Sequence, residues 1–337
     1  MDREPADRAY ELVNGFRASQ LVHFAAQLRI PDLLADGPRS AADLGAATGI
    51  DVDRLHRVLR GLAGLGVLAE TEEGRFRNTE VGDLFREGVQ GSRRAMSLMW
   101  LPESYRAWDH LMDTMRSGKP GHDIAHGENL WESLARDADF AARFNEAMVS
   151  GTVEIGEFVA AGSDFSGASV IVDVGGGNGG LAVGILQAHH QLRAIICDLP
   201  AGLAGTQVYL SQQGVSHRCT TVEADFFEKV PTGGDVYLLK NIIHDWDDEH
   251  ATLILSACRR ASRRGARILL IERLLPARVT DSPEHLNAVM TDLQMMVQLG
   301  GRERTVAEYR TLLEQTGFEF TRSRAGALYG VVEGVAS

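Results

Sequence analysis

From residue 169 onward, short apolar runs alternate with helical stretches, and this alternation limits the possible fold more than any other feature of the chain. Residues 169–174, 193–198, 218–223, 236–243 and 267–272 read as strands, and 181–188, 203–213 and 249–261 as helices. Two more helices are expected near 286–299 and 306–316, and two last strands over 319–324 and 328–333. Alternating strand and helix predicts a parallel, doubly wound α/β sheet with right-handed crossovers. Ligands of such sheets sit at the carboxyl ends of the strands.

Residues 1–95 follow another pattern. Leu21, Phe24, Ala25 and Leu28 recur at helical spacing, and Pro31 is expected to end that run, which starts at Arg17. Ser40 opens a short helix with Asp43 three residues on, a capping-box spacing. Asp51 or Asp53 caps a third helix, with Leu55, Val58, Leu59 and Leu62 on one face and Gly64 and Gly66 at its end. Two short extended runs, 67–70 and 75–79, flank Glu72-Glu73-Gly74. Helix, turn, helix and hairpin describe a winged-helix-like module over 1–95. Residues 96–165 read as irregular helices with scattered aromatics and join the sheet in a second domain, 96–337.

A chain of 337 residues suits two such domains. Its formal charge of -12, from 34 Lys and Arg against 46 Asp and Glu, repels nucleic-acid phosphates and anionic membranes. The arginine pairs 93–94, 259–260 and 263–264 are short, and the last two lie near a helix end, where cations favour the dipole. Cys197, Cys219 and Cys258 form no CxxC pair and sit in or beside apolar runs, so neither a disulfide framework nor a structural zinc site is expected. The charged start, 1–10, lacks the apolar stretch of a signal peptide, and no segment reaches the roughly 20 apolar residues of a membrane span. The expectation is a cytoplasmic protein without nucleic-acid or membrane partners.

The segment from Asp173 to Gly180, Asp-Val-Gly-Gly-Gly-Asn-Gly-Gly, follows the first of these strands and opens a helix. Glycines permit a tight turn and a close backbone approach to a ligand. Such a loop alone fits a dinucleotide, a sulfonium nucleoside or a mere turn. Asp173 repels a pyrophosphate and suits the ammonium group of an amino acid. Asp198, closing the next strand, can accept from two ribose hydroxyls, a feature shared with NAD-binding folds. Asp225 and Phe226 can hold an adenine by its amino group and its face; equally, they can be a helix cap and a core residue. His244 leads a polar turn out of the strand 236–243, at the edge where ligands bind. Phe140, Phe144 and Met148 share one helical face, a stripe that in most helices is core.

Five segments then occur in order: 173–179, Cys-Asp-Leu-Pro at 197–200, Ala-Asp-Phe-Phe at 224–227, Leu-Lys-Asn-Ile-Ile-His-Asp-Trp-Asp-Asp-Glu at 239–249 and Gly-Gly-Arg-Glu-Arg-Thr at 300–305. Over essentially its whole length the chain resembles the plant caffeic-acid type O-methyltransferases and their bacterial relatives that tailor aromatic natural products such as anthracyclines and phenazines. The resemblance implies a Rossmann-like class I methyltransferase sheet of seven mostly parallel strands and a winged-helix-like dimerisation domain. The implied cofactor is S-adenosylmethionine, with S-adenosylhomocysteine as its product. Asp173, Gly175 and Gly177 would line its methionine end, Asp198 and Leu199 its ribose, Asp225 and Phe226 its adenine, with Lys240 beside it. His244 matches the family's general base, and Glu272 and Glu303 match two glutamates that flank and orient it. Phe144, Met148, Asp245, Asn287 and Met290 are the implied acceptor contacts, with Asp292 an alternative to Asn287. Trp100, Tyr105, Trp108, Met295 and Met296 add an apolar lining wide enough for a polycyclic aromatic. The implied partners are a small aromatic substrate and a second copy of the chain, and no metal is expected.

A sulfonium methyl is already activated, so such an enzyme must align the acceptor oxygen, the methyl carbon and the sulfur, and remove a proton. An unperturbed histidine, pKa about 6.5, is neutral near pH 7 and can take the proton of a phenol, pKa about 10, as the oxygen attacks. A carboxylate acceptor would need no base and would leave His244 to position it. Three rivals remain. A family member that uses the cofactor for decarboxylation or hydroxylation is opposed by His244 and both glutamates. A DNA-binding regulator is opposed by the charge and by the two aspartates within 51–61. A nicotinamide-dependent dehydrogenase gives the segments at 224–227 and 239–249 no role.

Overall fold

Pro5, whose missing N–H costs nothing in a first helical turn, starts α1 (Pro5–Gln27) in a computed structural model that describes residues 4–149 and 151–337, the side chains of 100–102 excepted. The chain divides into two compact units, Met1–Tyr105 with Ala142–Gly151, and Arg106–Ala141 with Thr152–Ser337. The boundary expected at 95 falls inside α6 (Arg94–Asp109).

In the first unit α1 is followed by α2 (Ile30–Leu33), α3 (Ala41–Thr48), α4 (Val52–Gly64), the antiparallel pair β1 (Leu68–Glu70) and β2 (Phe76–Asn78), and α5 (Glu80–Asp83). Ser40 and Asp43 form the capping box of α3, and Asp51, not Asp53, caps α4 by accepting from the Arg54 N–H at 3.1 Å. Leu55, Leu59 and Leu62 bury one face of α4 against Ala25, Ile30, Leu44 and Phe76. The apolar faces 21–28 and 55–62 therefore close this unit's own core. Four exposed apolar side chains, Tyr10, Leu12, Val13 and Phe16, gather on the first half of α1, and Val52, Leu65, Val81 and Leu84 are exposed elsewhere in the unit. Pro31 does not end α1; it sits in the first turn of α2, where proline is tolerated.

After α6 come α7 (Leu111–Ser117), α8 (Gly121–His126), α9 (Leu130–Arg136), α10 (Ala138–Val149) and α11 (Thr152–Gly162). The sheet begins with β3 (Val170–Val174), α12 (Gly180–Ala188), β4 (Arg193–Asp198), α13 (Thr206–Gln212) and β5 (Cys219–Glu223). It continues with β6 (Val236–Lys240), α14 (Asp248–Ala261), β7 (Arg267–Glu272), α15 (Pro283–Gln298), α16 (Val306–Gln315), β8 (Phe318–Ala325) and β9 (Gly330–Ala336). The seven strands lie in the order β5-β4-β3-β6-β7-β9-β8; only β9 runs antiparallel to its neighbours.

Both sheet faces are buried, as the near-continuous apolar strands require. Val172, Val174, Tyr237, Leu239, Ile268 and Leu270 pack against α14 and α16. Ile171, Val236, Leu238, Leu269 and Ile271 pack against α11 and α12 on the other side. Each such side chain contributes roughly 1.5–3 kcal/mol on burial. Strand order reverses between β3 and β6, which opens a crevice at their carboxyl ends. No helix of the described residues is long and apolar enough to cross a membrane, and the three cysteines are free.

Candidate active site

β3 delivers Asp173 to the crevice, where it is 1% exposed. Its Oδ2 is buried without a hydrogen-bond partner. Burial pushes its pKa up to about 7, against the pull of Lys240. The backbone then turns through Gly175 at φ +67°, where a Cβ would stand 2.4 Å from Ile242 Cδ1. A side chain at that φ costs on the order of 1–2 kcal/mol, which explains the glycine. Asp198 ends β4 and accepts from the Gly177 N–H at 2.9 Å and the Leu199 N–H at 2.7 Å. Two backbone donors leave its carboxylate room for further hydroxyls. Burial holds its pKa above the usual carboxylate value.

Asp225 follows β5 and accepts from the Phe227 N–H at 2.9 Å, so it does cap a turn. Phe226 is half-buried, its ring 5.1 Å from Phe227 and 6.4 Å from Trp246. Lys240, the last residue of β6, holds its Nζ 6.0 Å from the Tyr329 ring centre. The strand expected to run to 243 stops here because Asn241 adopts φ +54°. A one-turn 3-10 helix, Ile243–Asp245, then carries His244.

His244 is 4% exposed and three acidic groups converge on it. Glu303 Oε1 lies 2.7 Å from Nδ1, and Glu272 Oε2 lies 3.8 Å from the same atom. Asp245 Oδ1 stands 3.4 Å from Nε2. Glu272 also uses Oε1 to accept the backbone N–H groups of Ile242 and Ile243, at 3.2 and 2.9 Å. So Glu303 contacts the imidazole, while Glu272 braces the turn beneath it. Burial drags the His244 pKa down, but Glu303, Glu272 and Asp245 outweigh burial and hold it up at about 10. This overturns the ordinary histidine pKa assumed from sequence. Burial raises Asp245 to about 6 and Glu272 to about 7. The donor atoms of His244, Glu272 and Glu303 fall within 4.8 Å of one another, but Nδ1 and Glu303 already face each other in a hydrogen bond.

Arg304, given no role by the sequence, pins this turn. It is fully buried. Its guanidinium donates to Asp248 Oδ1 at 2.7 and 2.9 Å, to the Ile243 carbonyl at 2.9 Å and to the Trp246 carbonyl at 2.8 Å. The Arg302 N–H closes the other side on the His244 carbonyl at 2.8 Å, so close that a Cβ on Gly301 would lie 2.2 Å from that oxygen. The only signal in the sequence was the second arginine of Gly-Gly-Arg-Glu-Arg-Thr. Arg304→Met is expected to lower the unfolding free energy by about 3 kcal/mol, because a buried carbonyl at Ile243 and a part-buried one at Trp246 lose their donors. Urea unfolding checks this; an unchanged midpoint contradicts it.

The implied acceptor contacts scatter. Asp245 lies against His244. Asn287 is exposed and accepts from Arg273 Nε at 3.2 Å. Asp292 accepts the Glu303 N–H at 2.9 Å, which positions that glutamate. Met290 is 47% exposed, and Met295 is buried. Trp108 donates to Gln294 at 2.6 Å. Phe144, Met148 and Tyr105 belong to the first unit, where Tyr105 donates to the Phe16 carbonyl at 2.8 Å. The Trp100 side chain lies outside the described residues.

A buried, unpartnered carboxylate oxygen at the head of a glycine turn, followed by an aspartate with acceptor capacity left, fits a ligand with an ammonium group and a ribose. Comparison with known proteins agrees. Residues 108–319 match the O-methyltransferase domain family, and residues 10–88 match the O-methyltransferase dimerisation domain family. Phenazine O-methyltransferase PhzM of Lysobacter antibioticus is 36% identical over 93% of this chain and 90% of its own. The 3-amino-4-hydroxybenzoate 4-O-methyltransferase of Streptomyces cremeus is 39% identical over 93% of this chain and 85% of its own. The crystal structure of NcsB1, an O-methyltransferase from neocarzinostatin biosynthesis in complex with S-adenosylmethionine and 2-hydroxy-5-methyl naphthoic acid, superposes with a TM-score of 0.80. It is 30% identical, over 95% of this chain and 96% of that one.

Proposed function

We propose, from the premise that this chain belongs to the O-methyltransferase family and is an S-adenosylmethionine-dependent O-methyltransferase, that it methylates a hydroxyl of a small aromatic natural product with His244 as the base. One observation carries the reading: Glu303 sits 2.7 Å from Nδ1 of a buried histidine at the ligand edge of the sheet. That contact keeps a proton on Nδ1 and reserves Nε2 for the acceptor.

When bound, the cofactor supplies a methyl group already activated by a sulfonium. Asp173 would take the ammonium, Asp198 the ribose hydroxyls, and Asp225 and Phe226 the adenine. Lys240 balances the acidic residues around them. His244, held by Glu303 and kept in place by Glu272 and Arg304, removes the acceptor's proton at Nε2. With its pKa at about 10, near that of a phenol at about 10, the transfer is close to balanced. A general base works best with a pKa near the operating pH, so at neutral pH the raised value leaves most of the imidazole protonated and the base form scarce. Asp245 Oδ1, 3.4 Å from Nε2, faces the resting imidazolium with its charge. The productive complex therefore carries one proton fewer than the resting pair, and activity climbs with pH through the neutral range. A carboxylate acceptor needs no such removal and would give a flat profile.

Asp173 adds a second pH dependence. Its pKa of about 7 leaves it half-protonated near neutrality, and only the carboxylate attracts an ammonium. Affinity for S-adenosylhomocysteine is expected to rise about tenfold between pH 6 and pH 8, measured by calorimetry. An Asp173→Asn variant loses this dependence, and a flat wild-type affinity contradicts the assignment.

The acceptor atom is tested with 3-amino-4-hydroxybenzoate, which offers an amine and a hydroxyl on one ring. The expected product is the methyl ether, identified by NMR; N-methylation would overturn the hydroxyl reading. The first unit pairs with a second copy of the chain through the apolar side chains exposed on α1, Tyr10, Leu12, Val13 and Phe16. Sedimentation as a monomer at micromolar concentration contradicts the homodimer.

A further inference from the structure

Beyond the Glu272–His244 side of the strand tips lies a second polar cluster, of which the reaction as described uses only Lys240. Arg273 follows β7, and Tyr329 precedes β9. Arg273 donates through Nη1 to the Tyr329 hydroxyl at 3.1 Å, with its Cζ 4.7 Å from the ring centre, and through Nε to Asn287 Oδ1 at 3.2 Å. Asn241 Nδ2 donates to the same hydroxyl at 3.2 Å, and Lys240 Nζ stands 6.0 Å from the same ring.

Two features remain without an explanation inside the protein. Arg273 and Lys240 sit over one aromatic ring, and neither forms an ion pair among the described residues. The field of Lys240 reaches Asp173 and Asp245. Asn241 holds φ +54°, and its Oδ1 is buried without a donor. Lys240 has Asp173 and Asp245 as counter-charges, whereas the Arg273 guanidinium has no ion-pair partner among the described residues and is left open to an anion. The guanidinium has five N–H groups and spends one on Tyr329 and one on Asn287. Its Nη1–Nη2 edge keeps the rest, in the fork that matches a carboxylate.

We propose that Arg273, backed by Tyr329 and Asn241, is a carboxylate-recognition site at the tips of β6 and β7. Tyr329 also feels the charge of His244, which puts the cluster beside the reacting centre. The inference rests on the methyltransferase reading, because that reading supplies two carboxylates: the methionyl carboxylate of the cofactor and a carboxylate on an acidic aromatic acceptor. Lysine cannot reproduce the fork, so Arg273→Lys should recover only part of what Arg273→Gln loses.

The test is calorimetric and needs no turnover. Wild type, Arg273→Gln and Arg273→Lys are titrated with S-adenosylhomocysteine and with its decarboxylated analogue. Complexes with S-adenosylhomocysteine are then titrated with salicylate, 1-hydroxy-2-naphthoate and phenazine-1-carboxylate, each beside its methyl ester. If the site holds the cofactor, Arg273→Gln weakens S-adenosylhomocysteine about tenfold or more and leaves the decarboxylated analogue unchanged. If it holds the acceptor, cofactor affinity is unchanged and an acid loses about tenfold while its ester does not. Equal losses for acids and their neutral counterparts, or no loss for any ligand, overturn the proposal. A protein that binds these ligands as expected but methylates nothing would sink the methyltransferase reading while leaving the carboxylate site standing.

Discussion

His244→Ala is expected to lower kcat by about 10²–10⁴-fold, the usual contribution of a positioned general base, while S-adenosylhomocysteine binds with its wild-type affinity. The two effects separate because His244 faces acidic groups at the tip of β6, whereas Asp173 and Asp198, the proposed ammonium and ribose partners, sit on β3 and β4. The variant keeps its fold because Arg304, Glu272 and the Arg302 N–H hold the turn through its backbone carbonyls and N–H groups, not through the imidazole. Steady-state kinetics and calorimetry on the same preparation read both quantities. Near-normal kcat would remove His244 from the chemistry, and a parallel loss of cofactor affinity would turn it into a structural residue.

Glu303→Gln is expected to move the rising limb of log(kcat/KM) to lower pH by more than one unit. The glutamine oxygen can still accept from Nδ1, so orientation survives and only charge is lost. Among the three acidic groups that hold the His244 pKa at about 10, Glu303 contributes most. Without it, burial pulls the imidazole down, and neutral histidine appears at lower pH. The same change makes a weaker base, so the plateau at high pH falls even as the limb moves left. Profiles from pH 6 to 10 on both proteins check the sign. Superimposable profiles would show that the charge of Glu303 does not govern the proton that activity depends on.

The sheet was legible because its central strands are continuous apolar runs bounded by turns, and a parallel sheet buried on both faces demands such runs. The end of β6 was not. Ile242 and Ile243 are as apolar as a strand, and only the backbone of Asn241 turns them aside. The start of α1 was hidden for the opposite reason: Tyr10, Leu12, Val13 and Phe16 do not form one stripe facing the unit's own core, so helical periodicity begins only at Leu21.

At the site, the motifs found His244, Glu272 and Glu303 but not their division of labour. The difference between 2.7 Å and 3.8 Å at Nδ1 comes from how β7 and the 300–305 segment pack, and no spacing in the chain encodes it. The histidine's basicity was misjudged for the same reason, since three acidic side chains from separate segments meet only in the folded protein. Arg304 was silent because a buried arginine reads, in sequence, like a surface one. Asn287, expected at the acceptor, accepts from Arg273, a contact that no spacing in the chain announces.

Incubation of the protein with methyl-labelled S-adenosylmethionine and a panel of catechols, naphthoic acids, phenazine carboxylic acids and anthracycline aglycones tests the central claim most directly. The account predicts label on a ring oxygen of at least one acceptor, at a rate that rises between pH 6 and pH 9. Label on a carboxylate or a nitrogen, or release of S-adenosylhomocysteine with no methylated product, would contradict it.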